Sequence, residues 1–296
     1  MKKNGVEIPL LFPQTGVHYY GAIIGSYGIG PEFFKESDAV KYGPYDPRFK
    51  DYLAEMNKWY SEGLIDKDFP SRDSKMIESL ATSGKAGAWT GTSGVEIERY
   101  IIAGQAGNPN YALYGCSYPK TLDGQKPAYR QVDWKVRNYN AVITTACKYP
   151  ELATQWMDYR YSEEGSLLFN YGLENISFRF MEDGRPDSIA NEVLAKPEYE
   201  GMTWSSVMWK YKINDGAMNR MNTATLDKLI PESQQARVEW GESATIDNIL
   251  PPLTLTAQEA TEYNHIMNEV NTYKDTMILK FIIGAEPLDK FDEYIE

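Results

Sequence analysis

Apolar and polar positions along this chain fall into blocks of helix length, punctuated by glycine and proline. The clearest block in the first half covers residues 46–65. Phe49, Leu53, Met56 and Tyr60 recur at i, i+4, i+7 and i+11, and Tyr52 and Trp59 widen the same face. That spacing predicts an amphipathic helix with Trp59 in its packed stripe. Asp46 supplies a cap, Pro47 opens the first turn and Gly63 ends the block. A smaller block follows: Asp73 can cap a helix carrying Met76, Ile77 and Leu80, and Gly84 stops it. Residues 85–90, KAGAWT, read as a short buried strand. Gly91-Thr92-Ser93-Gly94 then turns into a helix over residues 95–103, whose exposed N-terminal amides suit a polar ligand. Trp89, just before this turn, reads either as core or as ligand contact. Ahead of these blocks, residues 6–12 predict a buried strand. Tyr19 and Tyr20 open a short helix broken by Gly25, Gly28 and Gly30, where they can face a cleft.

The second half is dominated by two patterns. Residues 141–146 form an apolar run that predicts a strand, followed by a polar turn. Pro150 then stands at a first helical position with Glu151 beside it, and Leu152, Trp156 and Tyr159 recur at helical spacing, which assigns Trp156 and Tyr159 to packing. Ser162 caps a second helix closed by Gly172. Thr256 and Glu259 form a capping box that opens a long helix over residues 256–283, with a stripe of Tyr263, Ile266, Met267, Val270, Tyr273 and Met277. A final amphipathic piece covers residues 288–295. Between these patterns, residues 173–255 carry little periodicity. Asp183-Gly184 marks a turn and residues 189–194 a short helix. Trp204 and Trp209 lie five apart, so on a helix they face different ways. Trp240 sits in a charged context and is assigned to packing. Residues 105–137 read as a strand, a proline-bounded loop and an extended return, with a tight turn at Asp123-Gly124.

Composition narrows the class. A chain of 296 residues can bury a sizeable core and commonly forms two lobes. The net charge of −12 argues against a nucleic-acid partner, which would favour a basic surface. The 22 Tyr and 7 Trp, beside many amides and carboxylates, suit stacking on the flat apolar faces of sugar rings. Cys116 and Cys147 are expected to be free thiols, because two cysteines make no disulfide framework. With only His18 and His265, a histidine-rich zinc site is not expected, and no cofactor is called for. No apolar run approaches the roughly 20 residues of a membrane span. The start, MKKNGVEIPLLF, is broken by Pro9 and Pro13 and does not read as a signal peptide. It reads as the interior of a domain, so the chain is expected to be a piece of a longer protein.

Catalytic motifs are not legible. The sequence holds no Gly-x-Ser-x-Gly elbow and no His-Glu-x-x-His. The early glycines match neither a P-loop nor a dinucleotide fingerprint. His18 lies beside two tyrosines without a sequence-adjacent partner for base chemistry, and His265 reads as solvent-facing. A glycoside hydrolase would require two carboxylates about 5–10 Å apart, and no pair stands out among 42 acidic residues.

The stretch NAVITTACKYPELATQWMDYRYSEEGSLLFNYG resembles the family 1 extracellular solute-binding proteins of carbohydrate ABC transporters, in particular the large lipoprotein type of Gram-positive bacteria. The shared order is a strand (142–145), Pro150-Glu151 opening a helix with Trp156 and Tyr159, Glu164-Gly165, and Asn170-Tyr171-Gly172. LAEMNKWYSEGLID (53–66), Ser83-Gly84-Lys85-Ala86-Gly87 with Trp89, and the run from Phe281 through Pro287 to Asp292 resemble the family in the same order. The resemblance implies an α/β, periplasmic-binding-protein-like type II fold, in which two lobes close by a hinge on a sugar in the interlobe cleft. The first lobe is expected to be incomplete, without the family's signal peptide and lipid-anchored cysteine. The expected segments are 1–135 (second lobe), 136–184 (return crossing into the first lobe), 185–275 (second lobe) and 276–296 (C-terminal, toward the first lobe). The implied function is non-enzymatic capture of an oligosaccharide and its delivery to the transmembrane permease subunits, by a monomer at the extracellular face of the membrane. Expected ligand contacts are Tyr20, Trp89, Trp134, Arg137, Trp204 and Trp209. The alternatives are a carbohydrate-active enzyme and a sugar-sensing module without a transport role.

Overall fold

The computed structural model describes residues 1–13, 21–93, 96–121, 126–132, 141–212 and 230–296. Two compact units emerge. The first comprises residues 1–92, 103–132 and 235–296; the second comprises 93–102 and 133–234.

Unit 1 is built on two long helices. Arg48–Ser61 buries Phe49, Tyr52, Leu53 and Met56, the face its sequence stripe predicts, and Trp59 packs half-buried against the same core. Ala257–Ile283 packs on it through Met277, Ile278, Phe281 and Ile282. Asn57 locks the pair, its amide donating to the carbonyls of Phe281 (3.0 Å) and Ile282 (3.2 Å). The long helix opens with the expected reciprocal Thr256–Glu259 capping box and ends at Gly284 in the left-handed conformation, φ 78°. Its upper stripe stays wet: Tyr263, Ile266 and Tyr273 are exposed. A helix this long projects beyond the core that its last turns bury.

Against these helices lies a parallel pair of strands, Ile8–Leu11 and Ala86–Trp89, in register Ile8↔Ala86 and Leu11↔Trp89. Both strands and the intervening helix Ser74–Thr82 follow the sequence pattern, and the Asp73 carboxylate accepts from the Met76 N–H as its cap. A hairpin, Phe33–Glu36 with Ala39–Tyr42, turns through Ser37 at φ 55°. The helix Pro231–Ser243 has no apolar stripe to announce it. It holds through small residues instead: Ala236 is fully buried, and Gln235 exchanges hydrogen bonds with the Gly115 backbone at 2.9 and 3.0 Å. Trp240 on this helix is half-buried. Among the described residues of 105–137, where a strand was expected, none lies in a strand.

Unit 2 contains the helices Pro150–Asp158 and Glu163–Asn170, the latter capped by Ser162 Oγ accepting from Gly165 N–H as predicted. Gly165 passes so close beneath the Tyr159 carbonyl that no side chain fits. Buried Arg160 lies over the Phe169 ring at 5.0 Å. A hairpin, Phe178–Phe180 with Pro186–Ser188, turns at Gly184, φ 78°. Beyond it, Ala190–Leu194 and Trp204–Met208 enclose a small core of Val193, Tyr199 and Val207.

Two expectations in unit 2 are corrected. Residues 141–146 form no strand and are exposed, Val142 at 82%. An apolar run becomes a strand only where a ladder partner takes its backbone groups, and none of the described residues does so here. Trp156 does not pack: it is 72% exposed, on a helix that buries no residue.

Candidate functional site

Of the six expected ligand contacts, Tyr20, Trp134 and Arg137 lie outside the described residues. The other three occupy different settings. Trp89 ends its strand in unit 1, packed on one side against Ile8, Leu11 and Ile77 and otherwise half-open. It stands three residues ahead of the point where the chain passes into unit 2. Trp204 is the first residue of Trp204–Met208. Thr203 caps that helix, its hydroxyl accepting from Ser206 N–H at 3.1 Å, and Trp204 leans on the Val193–Tyr199–Val207 core. Trp209 is the C-cap of the same helix and is 69% exposed. Five residues at about 100° each turn the two rings roughly 140° apart, so they do not form one platform. Trp204 is half-buried against that core, and Trp209 offers its ring to solvent.

Next in the chain after Trp209 come two members of a cluster that the sequence did not announce. The hydroxyls of Tyr199 and Tyr211 are hydrogen-bonded at 2.5 Å, and Lys210 Nζ donates to Tyr199 Oη at 2.9 Å. The Lys210 ammonium holds the Tyr199 phenol below its usual range, while the hydrogen bond with Tyr199 raises Tyr211. An ammonium and paired phenols can hydrogen-bond the hydroxyl groups of a ligand. Tyr and Lys at positions 199, 210 and 211 meet only because a 3-10 turn, Pro197–Tyr199, folds back on the following helix, which no spacing rule could have revealed.

Unit 1 contains a polar cavity of about 300 Å³, lined among others by Ser26, Glu36, Arg48, Lys120, Thr121 and Lys126. Its inner wall is an ion network. Arg48 Nε donates to Asp46 Oδ1 (2.8 Å), and Nη2 reaches Asp46 Oδ2 (2.7 Å) and Glu36 Oε1 (2.8 Å). Arg48 Nη1 and Asn248 Nδ2 both donate to the Gly28 carbonyl at 3.3 Å. Hydrogen bonds from Arg48 hold the buried Asp46 carboxyl below its usual range, and Lys41, then Arg48, do the same for Glu36. A depressed carboxyl pKa contributes stability that is complete above the unfolded value, near pH 4, and is lost as pH falls through the folded value. Asp46→Asn is therefore expected to lower stability by about 2 kcal/mol at pH 7 and by much less below pH 3. Urea unfolding at the two pH values checks this. Parallel losses at both would contradict the linkage.

No protein-family model matches the sequence, and no curated protein sequence matches it. Solved structures do match the fold. The calcium-free alginate-binding protein AlgQ2 is 19% identical with a TM-score of 0.74, covering 99% of this chain and 61% of that one. An extracellular solute-binding protein from Bifidobacterium longum subsp. infantis is 15% identical with a TM-score of 0.66, covering 98% and 61%. The S. pneumoniae ABC-transporter substrate-binding protein FusA, in complex with kestose, is 19% identical with a TM-score of 0.63, covering 99% and 60%. The fold is thus α/β and periplasmic-binding-protein-like, as the sequence resemblance implied. The chain spans about three-fifths of the length of the structures it matches.

Proposed function

We propose that this chain belongs to the substrate-binding component of an ABC importer, which captures an oligosaccharide and hands it to the permease. The observation that carries this reading is the fold likeness over 98–99% of the chain to proteins named for alginate binding, for solute binding and for a kestose complex. The reading is of a binder without turnover, monomeric, working at the extracellular face of the membrane. Among the described residues no helix is long and apolar enough to cross a membrane. Tyr20, Trp89, Trp134, Arg137, Trp204 and Trp209 are the proposed contacts, with the aromatic rings stacking on sugar and Arg137 bonding hydroxyls or a carboxylate. Among the described ones Trp209 is the most exposed, which leaves its ring free to stack.

A thermal-shift and calorimetric screen against kestose, alginate fragments and other oligosaccharides tests this. A saturable shift with at least one sugar is expected, and silence across the panel would sink the reading. Release of reducing ends from the same sugars would replace it with an enzymatic one. With the sugar in hand, Trp209→Ala is expected to weaken binding by roughly tenfold, about 1.4 kcal/mol, without moving the melting temperature. Trp204→Ala should in addition lower the melting temperature, because one side of that ring supports the Val193–Tyr199–Val207 core.

A further inference from the structure

The polar cavity of unit 1 has a charge opposite to that of the protein around it. The chain carries a net charge of −12. Among the described lining residues, however, the cations are Arg48, Lys120 and Lys126, and the one carboxylate is Glu36. Glu36 is already neutralised twice, by Arg48 at 2.8 Å and by Lys41. Lys120 and Lys126 are exposed and have no ion-pair partner among the described residues. Both ammonium groups line the same cavity of an otherwise acidic protein, and neither has a carboxylate partner among the described residues, so the cavity favours an anion.

The walls are preorganised. Arg48 is fixed by Asp46, Glu36 and the Gly28 carbonyl. Asn248 ties three segments together: its N–H donates to Ala128 O (3.0 Å), its carbonyl accepts from Lys35 N–H (2.9 Å), and its amide reaches Gly28 O. The hydroxyls have a defined polarity. Ser26 Oγ donates to Ile23 O at 2.6 Å, and Thr121 Oγ1 donates to Ser26 O at 2.9 Å. With their hydrogens committed to backbone carbonyls, both oxygens present only lone pairs to the cavity. Lone pairs accept from hydroxyl groups, whereas the lysines donate to an anion. About 300 Å³ lies at the small end of ligand sites, the scale of a single sugar ring.

We propose that this cavity binds a monosaccharide-sized acidic sugar unit, with its oxyanion between Lys120 and Lys126 and its hydroxyls donating to Ser26 and Thr121. The oxyanion chemistry is shared by carboxylate, sulfate and phosphate esters. The proposal rests on the sugar-binding reading for the ring, while the charge preference rests on the cavity itself.

Calorimetric titration of the full chain with glucuronate, glucose 6-sulfate, glucose 6-phosphate, glucose and inorganic sulfate tests it and identifies which oxyanion is preferred. At least one charged sugar is expected to bind tenfold or more tightly than both glucose and inorganic sulfate, and to weaken as salt is raised. Lys120→Gln/Lys126→Gln, which changes only exposed side chains, should lose that preference at an unchanged melting temperature. Glucose binding as well as the charged sugars, inorganic sulfate binding as well as glucose 6-sulfate, unaltered affinity in the double variant, or no charged sugar binding each overturns the proposal. A neutral oligosaccharide such as kestose, titrated in parallel, separates the two readings. Its binding with no charged-sugar binding would overturn the acidic site and leave the importer reading standing. Charged-sugar binding in its absence supports the acidic site and counts against a neutral cargo.

Discussion

Phe281→Ala is expected to destabilise unit 1 by about 3–5 kcal/mol, the usual cost of removing a fully buried aromatic ring. Phe281 has no exposed surface and lies where the two long helices meet, with its ring centroid 6.4 Å from that of Phe291 and 5.9 Å from that of Tyr294. Its backbone carbonyl also receives the Asn57 amide, so any shift of the helix to fill the cavity strains that bond. A domain has only about 5–15 kcal/mol of total stability, so the variant should unfold at markedly lower urea. Trp156→Ala is the contrast. It removes a larger ring with 72% of its surface in water and should change stability by less than about 0.5 kcal/mol. Urea midpoints for both variants decide the matter. A large loss at Trp156 would mean that its helix packs where the structure leaves it open.

Gly43→Ala is the second large effect. Gly43 follows the strand Ala39–Tyr42 and donates its N–H to the Glu32 carbonyl at 2.9 Å. A Cβ there would overlap the carbonyl oxygen of Gly30, a backbone atom that cannot swing aside. The hairpin or the Gly30 segment must therefore shift, at a cost at the upper end for overpacking, about 3 kcal/mol. Gly241→Ala, in the helix Pro231–Ser243, is the matched control. Its Cβ would meet nothing within 4 Å, and the exchange should stabilise by about 0.5–1 kcal/mol through the lower helix propensity of glycine. Thermal denaturation of the pair tests whether close backbone approach, rather than loss of a glycine as such, causes the Gly43 effect. Equal and small changes at both positions would refute the close approach.

The binding chemistry proposed for the two units differs in kind. Unit 2 offers the exposed Trp209 ring and the hydrogen-bonded Tyr199–Lys210–Tyr211 cluster. The cavity of unit 1 offers fixed polar walls and a cationic rim. A sugar recognised through its faces and one recognised through its charge would respond differently to salt, which makes salt dependence an economical way to tell which unit a given ligand uses.

Much of the fold was legible in the sequence where a signal is local. The caps at Asp73, Ser162 and Thr256 and the glycine stops at Gly84, Gly172 and Gly284 stand where the residues place them, because capping involves neighbours within four positions. The stripe of Arg48–Ser61 and the two strands Ile8–Leu11 and Ala86–Trp89 followed from periodicity and from short apolar runs, whereas their parallel pairing did not. What the sequence could not determine is which apolar face finds a partner. Residues 141–146 and Trp156 have the composition of buried elements and lie in water, whereas Pro231–Ser243 lacks a stripe and is held by Ala236 and by hydrogen bonds to Gly115. Burial is a property of two surfaces, and one strand of sequence carries only one of them. The same holds for the candidate sites. Single aromatics such as Trp89, Trp204 and Trp209 could be named in advance. The Tyr199–Lys210–Tyr211 cluster and the cavity that gathers Arg48, Lys120 and Lys126 exist only because tertiary structure brings together side chains that are distant in the chain.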